Sequence, residues 1–91
     1  MSGLRGKRVV ISGGSSGIGL ATARLLAEEG AESCLLGRDG NRLEAAVAEI
    51  GGGAWGQQCD VADPTAVSRL ADELDSGWGA VDGLVNNAGI A

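Results

Sequence analysis

The sequence predicts an α/β protein built on a doubly wound parallel sheet. Three observations carry that reading. Short apolar runs alternate with stretches of helical periodicity, strand then helix three times and then a strand. The connections between them are short, about two to six residues. A glycine-rich turn stands between the first apolar run and the first helical stretch. Right-handed crossovers between parallel neighbours put helices on both faces of such a sheet, and winding of this kind gives its first four strands the spatial order 3-2-1-4.

The first strand covers residues 7–12, where the unbroken run Val9-Val10-Ile11 suits a strand covered on both faces. The first helix is expected over residues 17–29, burying Ile18, Ala21 and Leu25 with help from Leu26. Gly30 supplies a left-handed cap. A second strand at residues 32–37 carries Cys34-Leu35-Leu36. Asp39 can cap the second helix, whose apolar residues Leu43, Ala46, Val47 and Ile50 follow the i, i+3, i+4, i+7 rule, and Gly51-Gly52-Gly53 ends it. A weaker third strand at residues 54–59 has Trp55 as its large apolar residue. Asp63-Pro64 is an N-cap followed by proline at the first helical position, and Val67, Leu70, Ala71 and Leu74 repeat the helical spacing behind it. Gly77 and Gly79 break that helix, and residues 81–86 form the fourth strand.

Composition narrows the function classes. Ninety-one residues allow one small domain, and 44% hydrophobic residues suffice for a core. A net charge of −5, with no basic stripe on any predicted helix, argues against nucleic acid as a partner. No secretory apolar region opens the chain and no run approaches the ~20 apolar residues of a membrane span, so a soluble, cytoplasmic protein without a membrane partner is expected. Cys34 and Cys59 read as buried free thiols rather than a disulfide. With no histidine and two distant cysteines, a structural zinc site is not expected.

The glycine turn carries the chemistry. It reads Ser12-Gly13-Gly14-Ser15-Ser16-Gly17-Ile18-Gly19, between the first strand and the first helix. Unpaired backbone N–H groups and the positive end of the helix dipole suit a pyrophosphate there, and glycines let it approach. The spacing Gly13-x-x-x-Gly17-x-Gly19 is not the commonest dinucleotide fingerprint, Gly-x-Gly-x-x-Gly. A Walker loop also fails, because Leu20-Ala21 stands where Lys-Ser/Thr is required. The alternative reading is a glycine turn that serves only tight strand–helix packing.

The observed spacing resembles that of the short-chain dehydrogenase/reductase family, whose motif is Thr-Gly-x-x-x-Gly-Ile-Gly, with Ser12 here in place of the threonine. The Gly-x-x-Gly-x-x-Gly spacing of the extended branch of that family does not fit. The other strand ends extend the resemblance over essentially the whole chain. After the second strand, an acidic residue would bond the ribose 2′-hydroxyl of NAD, but the place reads Gly37-Arg38. A glycine leaves room and a guanidinium suits a 2′-phosphate, which favours NADP. Asp39 competes: turned inward it would favour NAD, whereas its other role is the helix cap. After the third strand come Asp60 and Val61, where the resemblance implies contact with the adenine; Asp60 could also be a simple turn residue. After the fourth come Asn86, Asn87, Ala88 and Gly89, near-diagnostic for the family. Asparagine amides can tie strands together and reach the ribose, while Ala88 and Gly89 keep the wall thin.

The expected cofactor-binding set is therefore Gly13, Ser15, Ser16, Gly17, Ile18, Gly19, Arg38, Asp60, Val61, Asn87, Ala88 and Gly89, with NADP as the cofactor and NAD as the alternative. The resemblance implies hydride transfer between the nicotinamide and a carbonyl or alcohol, with proton transfer by a Tyr-x-x-x-Lys pair. The chain contains no tyrosine, and its single lysine, Lys7, starts the first strand at the end opposite the cofactor. No catalytic residue can be assigned within it. The expectation is a truncated Rossmann-type sheet: residues 1–91 as a partial NAD(P)-binding domain, the N-terminal half of a longer oxidoreductase or a truncated product of one. Self-association through the exposed edge of the fourth strand is also expected. A non-catalytic dinucleotide-binding module and an inert fragment are the alternatives.

Overall fold

The computed structural model describes residues 2–13, 17–60 and 62–86. After a short 3-10 turn at Ser2–Leu4, the elements are β1 (Arg8–Ser12), α1 (Gly17–Glu28), β2 (Glu32–Gly37), α2 (Gly40–Ile50), β3 (Ala54–Gln58), α3 (Pro64–Gly77) and β4 (Gly83–Asn86). The four strands form one sheet in the order β3-β2-β1-β4. Every pairing is parallel, with Val10 opposite Cys34 and Leu84, and Cys34 opposite Trp55. The expected winding is the one observed.

Alternation along β1 divides the core into two layers. Val9 and Ile11 join Leu35 on the face covered by Ala23 of α1 and by Leu43 and Ala46 of α2. Val10 joins Cys34 and Leu36 on the other face, beneath Val67 and Leu74 of α3. Side chains of a strand point alternately to opposite faces, so a continuous apolar run is what a sheet with helices on both sides requires. The central residues Val10, Ile11, Cys34, Leu35 and Leu36 are all 0% exposed. Trp55 meets Trp78 edge to face, with ring centroids 5.3 Å apart.

The helix starts follow their sequence signals. Asp39 caps α2, its Oδ1 accepting from the N–H groups of Asn41 (3.0 Å) and Arg42 (3.2 Å). Asp63 caps α3 in the same way, from Thr65 (3.0 Å) and Ala66 (3.3 Å), with Pro64 at the first helical position. These caps satisfy backbone donors that have no intrahelical partner. Gly30 takes φ +83° at the end of α1, the left-handed geometry that favours glycine.

The buried face of α1 differs from the expectation. Ile18 is 54% and Leu25 63% exposed, and Ala21 is also exposed. The helix instead buries Gly19 and Ala23, with Leu20 and Leu26 partly buried beside them. Positions 19, 23 and 26 make as good a helical stripe as 18, 21 and 25, because α1 is apolar on most of its circumference. The stripe with glycine and alanine wins since small side chains let the helix approach the strands closely.

Three strand limits also move. Lys7 falls outside β1 because its N–H closes a turn onto the Leu4 carbonyl at 3.1 Å. Cys59 lies just past β3 and is half-buried, although its N–H still donates to Gly37 O at 2.8 Å. β4 starts at Gly83 rather than at residue 81, with Asp82 joining it to β1: the Asp82 N–H donates to Arg8 O, and its carboxylate accepts from the Arg8 N–H at 2.8 Å. Among the described residues, β4 has β1 as its only strand neighbour, and Leu84 on it is 49% exposed. No helix of the described residues is long and apolar enough to cross a membrane.

Candidate functional site

Because all four strands are parallel, their carboxyl ends come to one side of the sheet. Register fixes the spacing across that side: Ser12 lies opposite both Leu36 and Asn86, and Gly37 lies opposite Gln58. Adjacent strands are ~4.8 Å apart, so the residues after β1, β2 and β3 sit along a ledge roughly 10 Å wide.

After β1, Gly13 turns the chain. Its φ is +70°, and its N–H donates to the Leu36 carbonyl at 3.0 Å, tying the turn to the end of β2. Buried Ser12 reaches the other way, its hydroxyl donating to the Val85 carbonyl of β4 at 3.4 Å. The turn leads into α1, where Gly17 and Ile18 are exposed at the first turn and Gly19 is buried. Gly19 is thus on the buried side of α1 with Ala23, while Gly17 and Ile18 at its start are open to solvent.

After β2 comes a short connection held at three successive residues. Gly37 is buried and its carbonyl accepts from Cys59. The carbonyl of Arg38 accepts from Gln58 Nε2 at 2.7 Å. Asp39 has its carboxylate on the α2 backbone, as described, and its carbonyl accepts from the Leu43 N–H at 3.1 Å. The Arg38 residue itself is exposed. Both charged residues that compete for this position are exposed, and Asp39 is engaged through Oδ1 as the cap of α2.

After β3, Asp60 forms a turn. Its Oδ1 accepts from the Ala62 N–H at 3.1 Å and its carbonyl from the Asp63 N–H at 3.1 Å. The turn role weighed for Asp60 is therefore real, and the residue remains exposed at the ledge. Burial pushes the Cys59 thiol up, with the Asp60 and Asp63 charges adding to it; the buried Cys34 thiol is pushed up to about 12. Neither sulfur is a thiolate nucleophile near neutral pH.

The ledge holds Gly13, Arg38 and Asp60 just past the ends of their strands, and Gly17, Ile18 and Gly19 open α1, the helix that follows β1. Ser15, Ser16, Val61, Asn87, Ala88 and Gly89 lie outside the described residues. Gln58 went unmarked in the sequence, because a polar residue in an exposed strand gives no signal of what its amide will hold. A hollow between α2 and β3, lined by Leu43, Val47 and Gly56, reaches Gly40 and Gln58 beside the ledge, whereas another lies at the amino ends of β1 and β4, lined by Leu4, Lys7, Leu26, Asp82 and Leu84. Among the described residues no group of three or more His, Cys, Asp or Glu side chains could hold a metal ion.

A doubly wound parallel sheet with a glycine turn after its first strand defines a class of nucleotide-binding α/β folds. The family model of the short chain dehydrogenase matches residues 7–91, and the chain belongs to that family. A solved short chain dehydrogenase/reductase family protein superposes with a TM-score of 0.82 at 48% identity, covering 99% of this chain and 36% of that one. A 2,5-dichloro-2,5-cyclohexadiene-1,4-diol dehydrogenase of Sphingobium indicum is 40% identical over 90 residues, 99% of this chain and 36% of the relative. The NADPH-bound structure of a short chain oxidoreductase of Pseudomonas aeruginosa PAO1, described as containing an atypical catalytic center, gives a TM-score of 0.74 at 38% identity, covering 86% of this chain and 32% of that one. The chain spans about a third of the length of these relatives.

Proposed function

We propose that residues 1–91 form a partial Rossmann domain that binds NADP within a short-chain dehydrogenase/reductase. The enzyme would transfer hydride between NADP(H) and a carbonyl or alcohol. The observation that carries the choice of NADP is the division of labour after β2. Asp39 gives its Oδ1 to the cap of α2, and Arg38 lies exposed beside it at the strand end. A 2′-hydroxyl would want the acceptor; a 2′-phosphate wants the cation. The NADPH of the Pseudomonas aeruginosa relative supports the same choice.

In this reading Gly13, Ser15, Ser16, Gly17, Ile18 and Gly19 take the pyrophosphate, using backbone donors at the start of α1. Arg38 takes the 2′-phosphate, Asp60 and Val61 the adenine, and Asn87, Ala88 and Gly89 the ribose side. The dinucleotide, when bound, supplies the hydride carrier. The 91 residues bind and orient it; with no tyrosine among them, the proton-transfer pair that the family resemblance implies belongs to another segment or chain.

Calorimetric titration of the chain with NADP+ and NAD+ tests the proposal. One or two charge-assisted bonds to the 2′-phosphate should make NADP+ at least about tenfold tighter. Equal affinities, or a preference for NAD+, would remove the role given to Arg38. No heat from either dinucleotide would leave the inert fragment as the better reading.

A further inference from the structure

We infer that Gln58 is a positioning residue for dinucleotide selectivity, holding the backbone from which Arg38 projects. The inference rests on the proposed role of Arg38 and adds to it the residue that sets where that guanidinium starts. Gln58 is the last residue of β3 and lies opposite Gly37, the last residue of β2. Its amide reaches across the strand ends, and Nε2 donates to the Arg38 carbonyl at 2.7 Å. The side-chain oxygen of the same amide lies 3.7 Å from where a Cβ would stand on Gly40. The exposed amide thus spans from the Arg38 carbonyl to the first turn of α2.

Neighbouring bonds make this contact more than a surface accident. Cys59, next in the chain, donates its N–H to the Gly37 carbonyl at 2.8 Å. Asp39 is fixed by the α2 backbone through both its carboxylate and its carbonyl. Residues 37 and 39 are therefore held by backbone partners or by the cap. Arg38, between them, is held through the Gln58 side chain. An arginine gives up rotamer freedom when its guanidinium is engaged, and a loop that also had to be ordered on binding would add to what the ligand must offset. Fixing the Arg38 backbone before the ligand arrives removes that second cost. The benefit falls on ligands that use the guanidinium and bypasses those that do not. A β3 side chain thus tunes a β2 specificity residue without touching the ligand.

The test is calorimetric titration of the whole chain and of Gln58→Met, which keeps the length of the side chain and removes its donors. NADP+ and NAD+ are titrated into each, alongside Arg38→Ala and the Arg38→Ala/Gln58→Met double variant. Gln58→Met should weaken NADP+ by about three- to tenfold and leave NAD+ within about twofold, as expected for the loss of one preorganising hydrogen bond. In the Arg38→Ala background the same change should have no further effect on either dinucleotide, because the two residues act through one contact. Equal weakening of both dinucleotides would overturn the inference, since it would mark Gln58 as a general brace of the loop. Unchanged affinities, or a loss for NADP+ that persists without Arg38, would overturn it as well. If Arg38→Ala itself leaves the ratio of the two affinities unaltered, it is the reading of Arg38 that fails, and the two failures are told apart.

Discussion

Replacing Leu35 by alanine is expected to lower the unfolding free energy by about 2–5 kcal/mol, the range for deleting a fully buried leucine side chain. Leu35 is 0% exposed on β2, which pairs on both sides, and it packs with Val9, Ile11, Ala23, Leu43 and Ala46. The cavity would open where α1 and α2 both meet the sheet, so neither helix can close it without losing contacts elsewhere. Small domains hold only about 5–15 kcal/mol in total, which makes this a large share. The comparison that gives the result meaning is Leu25→Ala. Leu25 is 63% exposed, and its truncation should stay within about 0.5 kcal/mol. Urea unfolding followed by the fluorescence of Trp55 and Trp78 measures both variants. Comparable losses would mean that Leu25, not the Gly19–Ala23 stripe, faces the sheet.

The second large effect is on binding. Arg38→Ala should weaken NADP+ by about ten- to a hundredfold, the equivalent of roughly 1.4–2.7 kcal/mol and within the range for a bond to a charged group, while NAD+ changes little. Because Arg38 is exposed, the advantage of NADP+ should also narrow as salt is added, for screening acts on charges that water reaches. Titration of the variant with both dinucleotides reads the outcome. Loss of NAD+ binding in parallel would point to a disturbed loop rather than a lost phosphate contact. An unchanged preference for NADP+ would mean that a group other than Arg38 reads the 2′-phosphate.

Much of the fold was legible because its signals are local. Asp39 and Asp63-Pro64 announce helix starts, the 43–46–47–50 spacing announces the buried face of α2, and Val9-Val10-Ile11 announces a strand covered on both sides. Strand order followed from handedness and topology. The face of α1 was not legible, because Ile18, Leu20, Ala21, Ala23, Leu25 and Leu26 leave almost no polar side to orient it. What decided it was the closeness that Gly19 and Ala23 permit, a property of the packed pair of layers rather than of the helix. The strand limits differ by one or two residues: Lys7 closes a local turn onto Leu4, whereas Cys59 and Asp82 still bond Gly37 and Arg8 of the neighbouring strands, so residue type does not mark where each strand stops. The same holds at the candidate site. Gly13 and Arg38 could be singled out by residue type, and the double role open to Asp39 could be stated. That its carboxylate turns to the α2 backbone, and that Gln58 reaches the neighbouring carbonyl, depends on how β2 and β3 end side by side.

In the proposed function the carboxyl ends of the strands hold the dinucleotide. Backbone amide NMR of the uniformly 15N-labelled chain, titrated with NADP+, tests it most directly. The largest shift changes are predicted at Gly13, at Gly17 and Gly19 of the first turn of α1, and at Arg38 and Asp60. Changes concentrated instead at the opposite end of the sheet, around Lys7, Leu26, Asp82 and Leu84, would contradict it.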